Sequence, residues 1–155
     1  MRRTVFKAAA ALLLLVLAAC AGTGTERPKE YNLYFLSGAD SGGALIAAPY
    51  QGVGEPTPRQ LMNALLAGPD FEEMSSPFPA GVVLRSCRTE DGILYLDLSE
   101  NYGGLTDVNL TLADYAITLT LCQLDGVDGV CITAAGQSMS YRSHQILTPD
   151  EVLLS

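Results

Sequence analysis

The sequence predicts an α+β fold in which short strands and helix share one core, and three observations carry that prediction. Thr57-Pro58-Arg59-Gln60 offers an N-cap hydroxyl, a proline at the first helical position and a glutamine three residues after the cap. Leu61, Ala64 and Leu65 follow at helical spacing, and Gly68-Pro69 can end the helix, which gives a helix over about 58 to 67. Asp91-Gly92 separates two runs of β-type residues, the pattern of a tight hairpin.

Before any of these elements comes a leader. Arg2, Arg3 and Lys7 precede an apolar stretch, Ala8 to Leu17, and the small pair Ala18-Ala19, which is the layout of an export signal over residues 1–19. The apolar run to Ala19 is about a dozen residues, short of the ~20 that a membrane span needs. Leu17-Ala18-Ala19-Cys20 resembles the lipobox of bacterial lipoproteins, which implies cleavage before Cys20 and a thioether from its sulfur to diacylglycerol. Two acyl chains meet the requirement for stable anchoring. Cys20 is therefore the expected lipidation site, and residues 20–30, small, charged and broken by Pro28, read as a flexible tether.

Loss of Arg2, Arg3 and Lys7 leaves six of nine basic residues against seventeen acidic ones, so the formal charge moves from −8 to −11. Such a surface is repelled by phosphate backbones and excludes nucleic acid as a partner. What remains suits one domain with a single core of Leu, Val, Ile and Ala.

The aromatic and aliphatic run "YNLYFLSG" predicts a strand over 31–37. After a Gly-rich turn at Ala39 to Gly43, "GGALIAAPY" predicts a second strand, with Pro49 marking an edge or an end. Beyond the helix and an acidic, proline-bearing loop, "AGVVLRSCRTEDGILYLDLS" supplies the hairpin. There Leu94, Leu96 and Leu98 share one face, and Ile93, Tyr95 and Asp97 the other.

"NLTLADYAITLTLCQL" fits two patterns. Ile117, Leu119 and Leu121 alternate with threonines as in a strand, while Leu110, Ala113, Ile117, Leu121 and Leu124 form a helical stripe. Thr111 and Asp114 in a capping-box arrangement, and the length of the segment, favour helix. "GVDGVCITAAG" returns to strand composition, and Thr148-Pro149 can start a last short turn in the tail from Gln137.

In this order the signals resemble the GerMN domain of sporulation and spore-germination lipoproteins. The residues that carry the resemblance are "LYFLSG" (33–38), "ALLAGPD" (64–70), "FPAGVVLRS" (78–86), "EDGILYLDLSENY" (90–102) and "AITLTLCQLDGVDGVCITAAGQ" (116–137). The resemblance implies a GerMN-like domain over 31–137 with a C-terminal extension over 138–155. It implies a small, mainly antiparallel sheet with two helices on one face, like the ring-building modules of secretion systems, and it favours helix for Ala113 to Leu124. Two features depart from the family pattern. "GGALIAAPYQG" replaces the charged strand that usually follows the first, and the chain carries one copy of the domain.

Chemistry is sparse. A hydrolytic triad needs a histidine, and the single one, His144, reads as a surface residue with no G-x-S-x-G elbow near any strand. The carboxylate pairs Glu72-Glu73, Asp97 with Glu100, and Asp125 with Asp128 fit turns and solvated surface better than acid/base catalysis. Cys87, Cys122 and Cys131 are an odd set with no C-x-x-C spacing, so zinc is not expected, and Cys122 and Cys131 read as small hydrophobes. Gly52-Val53-Gly54 and "GADSGG" fall short of nucleotide loops, and no cofactor is implied.

The expectation is a non-enzymatic lipoprotein held on the outer leaflet of the cytoplasmic membrane, its domain binding envelope proteins or itself in sporulation or germination. A second reading is binding of a small envelope ligand, a cell-wall fragment or germinant, at Tyr31, Tyr34, Tyr50 and Tyr102. An envelope hydrolase built on Asp97 and Glu100 ranks last.

Overall fold

The computed structural model describes residues 29–38, 44–140, 142 and 144–153. The leader, Cys20, most of the tether and the turn at 39–43 lie outside the described residues.

Strand β1 (Asn32–Ser37) pairs antiparallel with β2 (Leu45–Pro49) on one side, and through Leu36 and Ser37 with β3 (Met74–Ser75) on the other. Helix α1 (Pro58–Ala67) keeps the predicted bounds because both halves of its capping box form. Thr57 Oγ1 accepts from Gln60 N at 3.3 Å, and Gln60 Oε1 accepts from Thr57 N at 2.9 Å. Gly68, at φ 90°, closes the helix where a side chain would be strained.

The second sheet begins with β4 (Leu84–Glu90) and β5 (Ile93–Leu98), an antiparallel hairpin turned by Asp91 and Gly92 at φ 50° and 79°. These angles are those of a two-residue primed turn, which matches the twist of the strands. A 3-10 turn (Glu100–Gly104) leads into α2 (Asp107–Leu121), and the chain returns through β6 (Gly129–Ala134), parallel to β5. A second primed turn at Ala135-Gly136 starts β7 (Gln137–Ser138). The tail adds β8 (Ile146–Leu147), antiparallel to β6, and the short α3 (Pro149–Leu153), which packs on α2.

The fold is α+β, as the sequence predicts, with the strands divided between two sheets of order β2-β1-β3 and β4-β5-β6-β7. The parallel β5–β6 pair is the exception in an otherwise antiparallel set, and the helix α2 is the crossover it requires. Helices α1 and α2 pack on each other and bridge the sheets: α1 touches β1 and β4, and α2 touches β1 and β6. One core results, from Leu33 and Phe35, Leu61, Met62 and Leu65, the inward face Leu94-Leu96-Leu98, the stripe Leu110-Ala113-Ile117-Leu121, and Val130 with Ile132.

The two-way pattern of residues 109–124 resolves as helix, and the threonines explain the strand-like alternation. Thr118 is fully buried and returns its hydroxyl to Asp114 O at 2.8 Å. Thr120, equally buried, accepts the Tyr34 N–H at 3.2 Å, so its hydroxyl meets a strand edge. The helix starts one turn before Thr111, at N-cap Thr106, and Thr111 donates to Asp107 O instead of capping. Asp114 faces the interior and has a different task, described below.

Candidate functional site

The first task of any surface is to manage the strand edges. Tyr50 N donates to Tyr31 O at 2.8 Å and Ser37 N to Ala44 O at 2.9 Å, which fixes the alternation of the β1–β2 ladder. The backbone groups of 33, 35, 46 and 48 then face inward between the two strands, and those of 32, 34 and 36 face the far side of β1. That far edge is closed without a full strand. Asn32 N donates to Gln123 Oε1 at 2.9 Å, Gln123 Nε2 donates to Asn32 O at 2.7 Å, Tyr34 N meets Thr120, and Leu36 pairs with β3. A side-chain amide just past α2 thus copies the bonding of a strand residue.

Two edges remain. β4 carries Arg85, Arg88 and Glu90 and a register break between Leu84 and Ser86, features that discourage strand addition. β2 presents Leu45, Ala47 and Pro49 outward, with no charge between Ala44 and Gly54.

A cavity of about 720 Å³ opens where the tether enters the domain, lined by Lys29, Tyr31, Tyr50, Val53, Glu55 and Asp125 among others. Lys29 Nζ pairs with Asp125 Oδ1 at 2.5 Å and lies 5.4 Å from the centroid of the Tyr31 ring. The Asp125 hydrogen bond raises the Lys29 pKa, against the opposing effect of desolvation. A β-carbon on Gly52 would fall 2.2 Å from the Tyr50 ring, so this glycine lets the ring lie against the loop. Of the four tyrosines singled out from sequence, Tyr31 and Tyr50 line this cavity; Tyr34 and Tyr102 do not.

Tyr102 belongs to a buried polar cluster. Its hydroxyl donates to Asp114, and Arg142 reaches from the tail with Nε 2.6 Å from Asp114 Oδ2 and Nη1 2.6 Å from Ile132 O. The Asp114 and Arg142 side chains are 5% and 4% exposed. Burial, and then the Asp114 charge and hydrogen bond, hold the Tyr102 phenol well above its ordinary pKa of 10. For Arg142, burial pulls down, but the Asp114 hydrogen bond and charge outweigh it and the guanidinium stays firmly charged. The sequence pattern had suggested a capping role for Asp114 and nothing for Arg142. The one available signal was a lone arginine in an otherwise mixed tail.

Among the other carboxylates, Asp97 holds a turn. Asp97 accepts from Thr133 Oγ1 at 2.8 Å and Gly136 N at 2.7 Å, with Arg85 at 3.4 Å, and so fixes the β6–β7 hairpin. Glu100 is exposed at the start of the 3-10 turn, Glu72 and Glu73 are exposed in a loop, and Asp125 and Asp128 flank the α2-to-β6 turn. His144 is exposed. Among the described residues no group of three or more His, Cys, Asp and Glu could hold a metal ion, and no helix is long and apolar enough to cross a membrane.

Cys87, Cys122 and Cys131 are free and half-buried. Burial pushes the Cys87 thiol up, and burial with the nearby Asp128 charge pushes Cys122 to about 11. Because the unfolded chain ionises this thiol near 9 and the folded chain only near 11, Cys122 favours the folded state below pH 9, and that contribution is lost as pH climbs through 11. Denaturant midpoints measured from pH 8 to 11 will fall, and Cys122→Ala will flatten the fall between 9 and 11.

The family model for Germane, described as sporulation and spore germination, matches residues 32–140. Comparison with curated protein sequences returned no match. Among solved structures, the tandem GerMN domains of the sporulation protein GerM from Bacillus subtilis superpose with a TM-score of 0.61 at 17% identity. That alignment covers 83% of this chain and 47% of the tandem chain, so this chain spans about half of it. The first GerMN domain of GerM alone gives 0.63 at 17% identity, covering 79% of this chain and 98% of that one. A protein from Clostridium perfringens described as a lipoprotein gives 0.50 at 17% identity, over 79% and 89% of the two chains.

Proposed function

The chain belongs to the Germane family of sporulation and spore-germination domains, and from that premise we propose that it is a lipid-anchored, non-enzymatic module that assembles with envelope proteins during sporulation or germination. The observation that carries the reading is the order of the parts: a family match over 32–140 sits just behind a leader ending in Leu17-Ala18-Ala19-Cys20. Diacylation at Cys20 would hold the domain at the outer face of the cytoplasmic membrane. The acidic surface of the mature chain keeps it clear of anionic headgroups. Partner contact falls to the domain's free edges and faces, while Asp97 is engaged in a turn and Asp114 in a buried ion pair.

Cys20→Ala tests the anchor. The wild-type chain will incorporate labelled fatty acid and sediment with membranes. The variant will lose the label and leave the diacylglycerol-dependent fraction; label retained in the variant would place the modification elsewhere.

The cavity beside Tyr31 and Tyr50 supports a second reading, binding of a small envelope ligand. Under that reading, cell-wall fragments shift the resonances of Tyr31 and Tyr50 and not those of Tyr34. An unchanged spectrum at millimolar fragment would remove it.

A further inference from the structure

We propose that the outer edge of β2 is a self-pairing site, at which two copies of this chain join their three-stranded sheets antiparallel about a two-fold axis at Ala47. The inference deepens the assembly reading above and rests on it for the membrane setting. The ladder with β1 leaves the backbone groups of Leu45, Ala47 and Pro49 pointing away from the sheet. Among the described residues the outward groups of Leu45 and Ala47 meet nothing, and Pro49 O receives only the Gln51 amide at 3.3 Å. Pro49 has no N–H to offer, and it stands at a position where none is needed by β1.

This set of groups is self-complementary. With Ala47 opposite Ala47 of the second copy, each donates its N–H to the other's carbonyl. Leu45 then falls opposite Pro49, and each Leu45 N–H reaches a Pro49 carbonyl that exchanges its weak Gln51 contact for a ladder bond. In this register the Leu45 carbonyl lies opposite the Pro49 nitrogen and keeps water as its donor.

Charge selects the same occupant. The mature chain carries −11, so most faces of two copies repel each other, whereas Ala44 to Gly54 holds no charged residue. The rival edge, β4, presents Arg85, Arg88 and Glu90 and a register break. Anchoring both copies in one membrane raises their effective concentration, so a short ladder suffices.

The test uses the full chain in its own membranes. Two differently tagged copies will be recovered together, and Ala47→Pro will lower that recovery at least tenfold. The proline removes an N–H that β1 does not use, so the melting temperature of the variant will stay close to that of the wild type. Ala47→Cys under mild oxidation will give a covalent dimer whose linked peptide joins the two introduced thiols, while Val53→Cys at the neighbouring loop tip will give none. Membrane sedimentation of the same samples reports the anchor separately. Co-recovery that Ala47→Pro leaves unchanged, absence of the linked peptide, or a link from position 47 to another protein instead overturns the proposal.

Discussion

Arg142→Ala will lower stability by about 3–5 kcal/mol, the cost of leaving one member of a buried ion pair without its partner. The variant strips Asp114, 5% exposed, of two guanidinium hydrogen bonds and deprives Ile132 O of its donor. Tyr102 alone remains to solvate the carboxylate, and its own neutrality is enforced by burial and by that same charge. The loss will appear as a lower denaturant midpoint at an unchanged slope. Asp114→Leu combined with Arg142→Met, which removes both charges, will recover the part of the loss that comes from the unpaired carboxylate, while Ile132 O and the Tyr102 hydroxyl stay without partners. A double variant as unstable as the single one would mean that the tail is held by geometry that only the ion pair supplies. The tail is the point at issue, since Arg142 lies beyond the matched family segment at 32–140 and still closes its core.

Gln123→Ala will cost about 1–3 kcal/mol, the range for a polar group buried without a partner. Both backbone groups of Asn32 lose the amide that completes their edge, and the amide hydrogen of Asn32 will exchange much faster while those of Leu33 and Phe35, bonded to β2, stay protected. Gln123→Glu keeps the acceptor for Asn32 N but sets a carboxylate against the carbonyls of Asn32, Leu119 and Thr120. It will therefore be no better than alanine. Protection of the Asn32 amide in Gln123→Ala would show that the edge is closed by something other than residue 123.

Local chemistry made some of the fold legible in the sequence. Thr57-Pro58-Arg59-Gln60 and Gly68 set both ends of α1 because a capping box and a left-handed glycine act within one turn. Asp91-Gly92 located the β4–β5 hairpin for the same reason, and Leu94, Leu96 and Leu98 declared the buried face by period. What escaped is what depends on partners distant in sequence. Thr120 and Gln123 meet β1 from some 90 residues away, and their threonine-rich spacing imitates a strand. Asp114 three residues after Thr111 has the form of a cap, yet its partners are Tyr102 and Arg142. The division into two sheets depends on where the β5–α2–β6 crossover leaves β1, which periodicity does not encode. Of the candidate site, Tyr31 and Tyr50 were legible only as two of four tyrosines that could line one, and the neutrality of the β2 edge gained meaning only once its outward register was known.

The most direct measurement of the central claim is an in-cell crosslink and pull-down from membranes of growing and sporulating cells, comparing the native chain with Cys20→Ala. An envelope complex recovered from sporulating membranes, and lost with Cys20, is the result this account predicts. Recovery of the bait without any protein partner, or of the same complex from the Cys20→Ala cells, would contradict it.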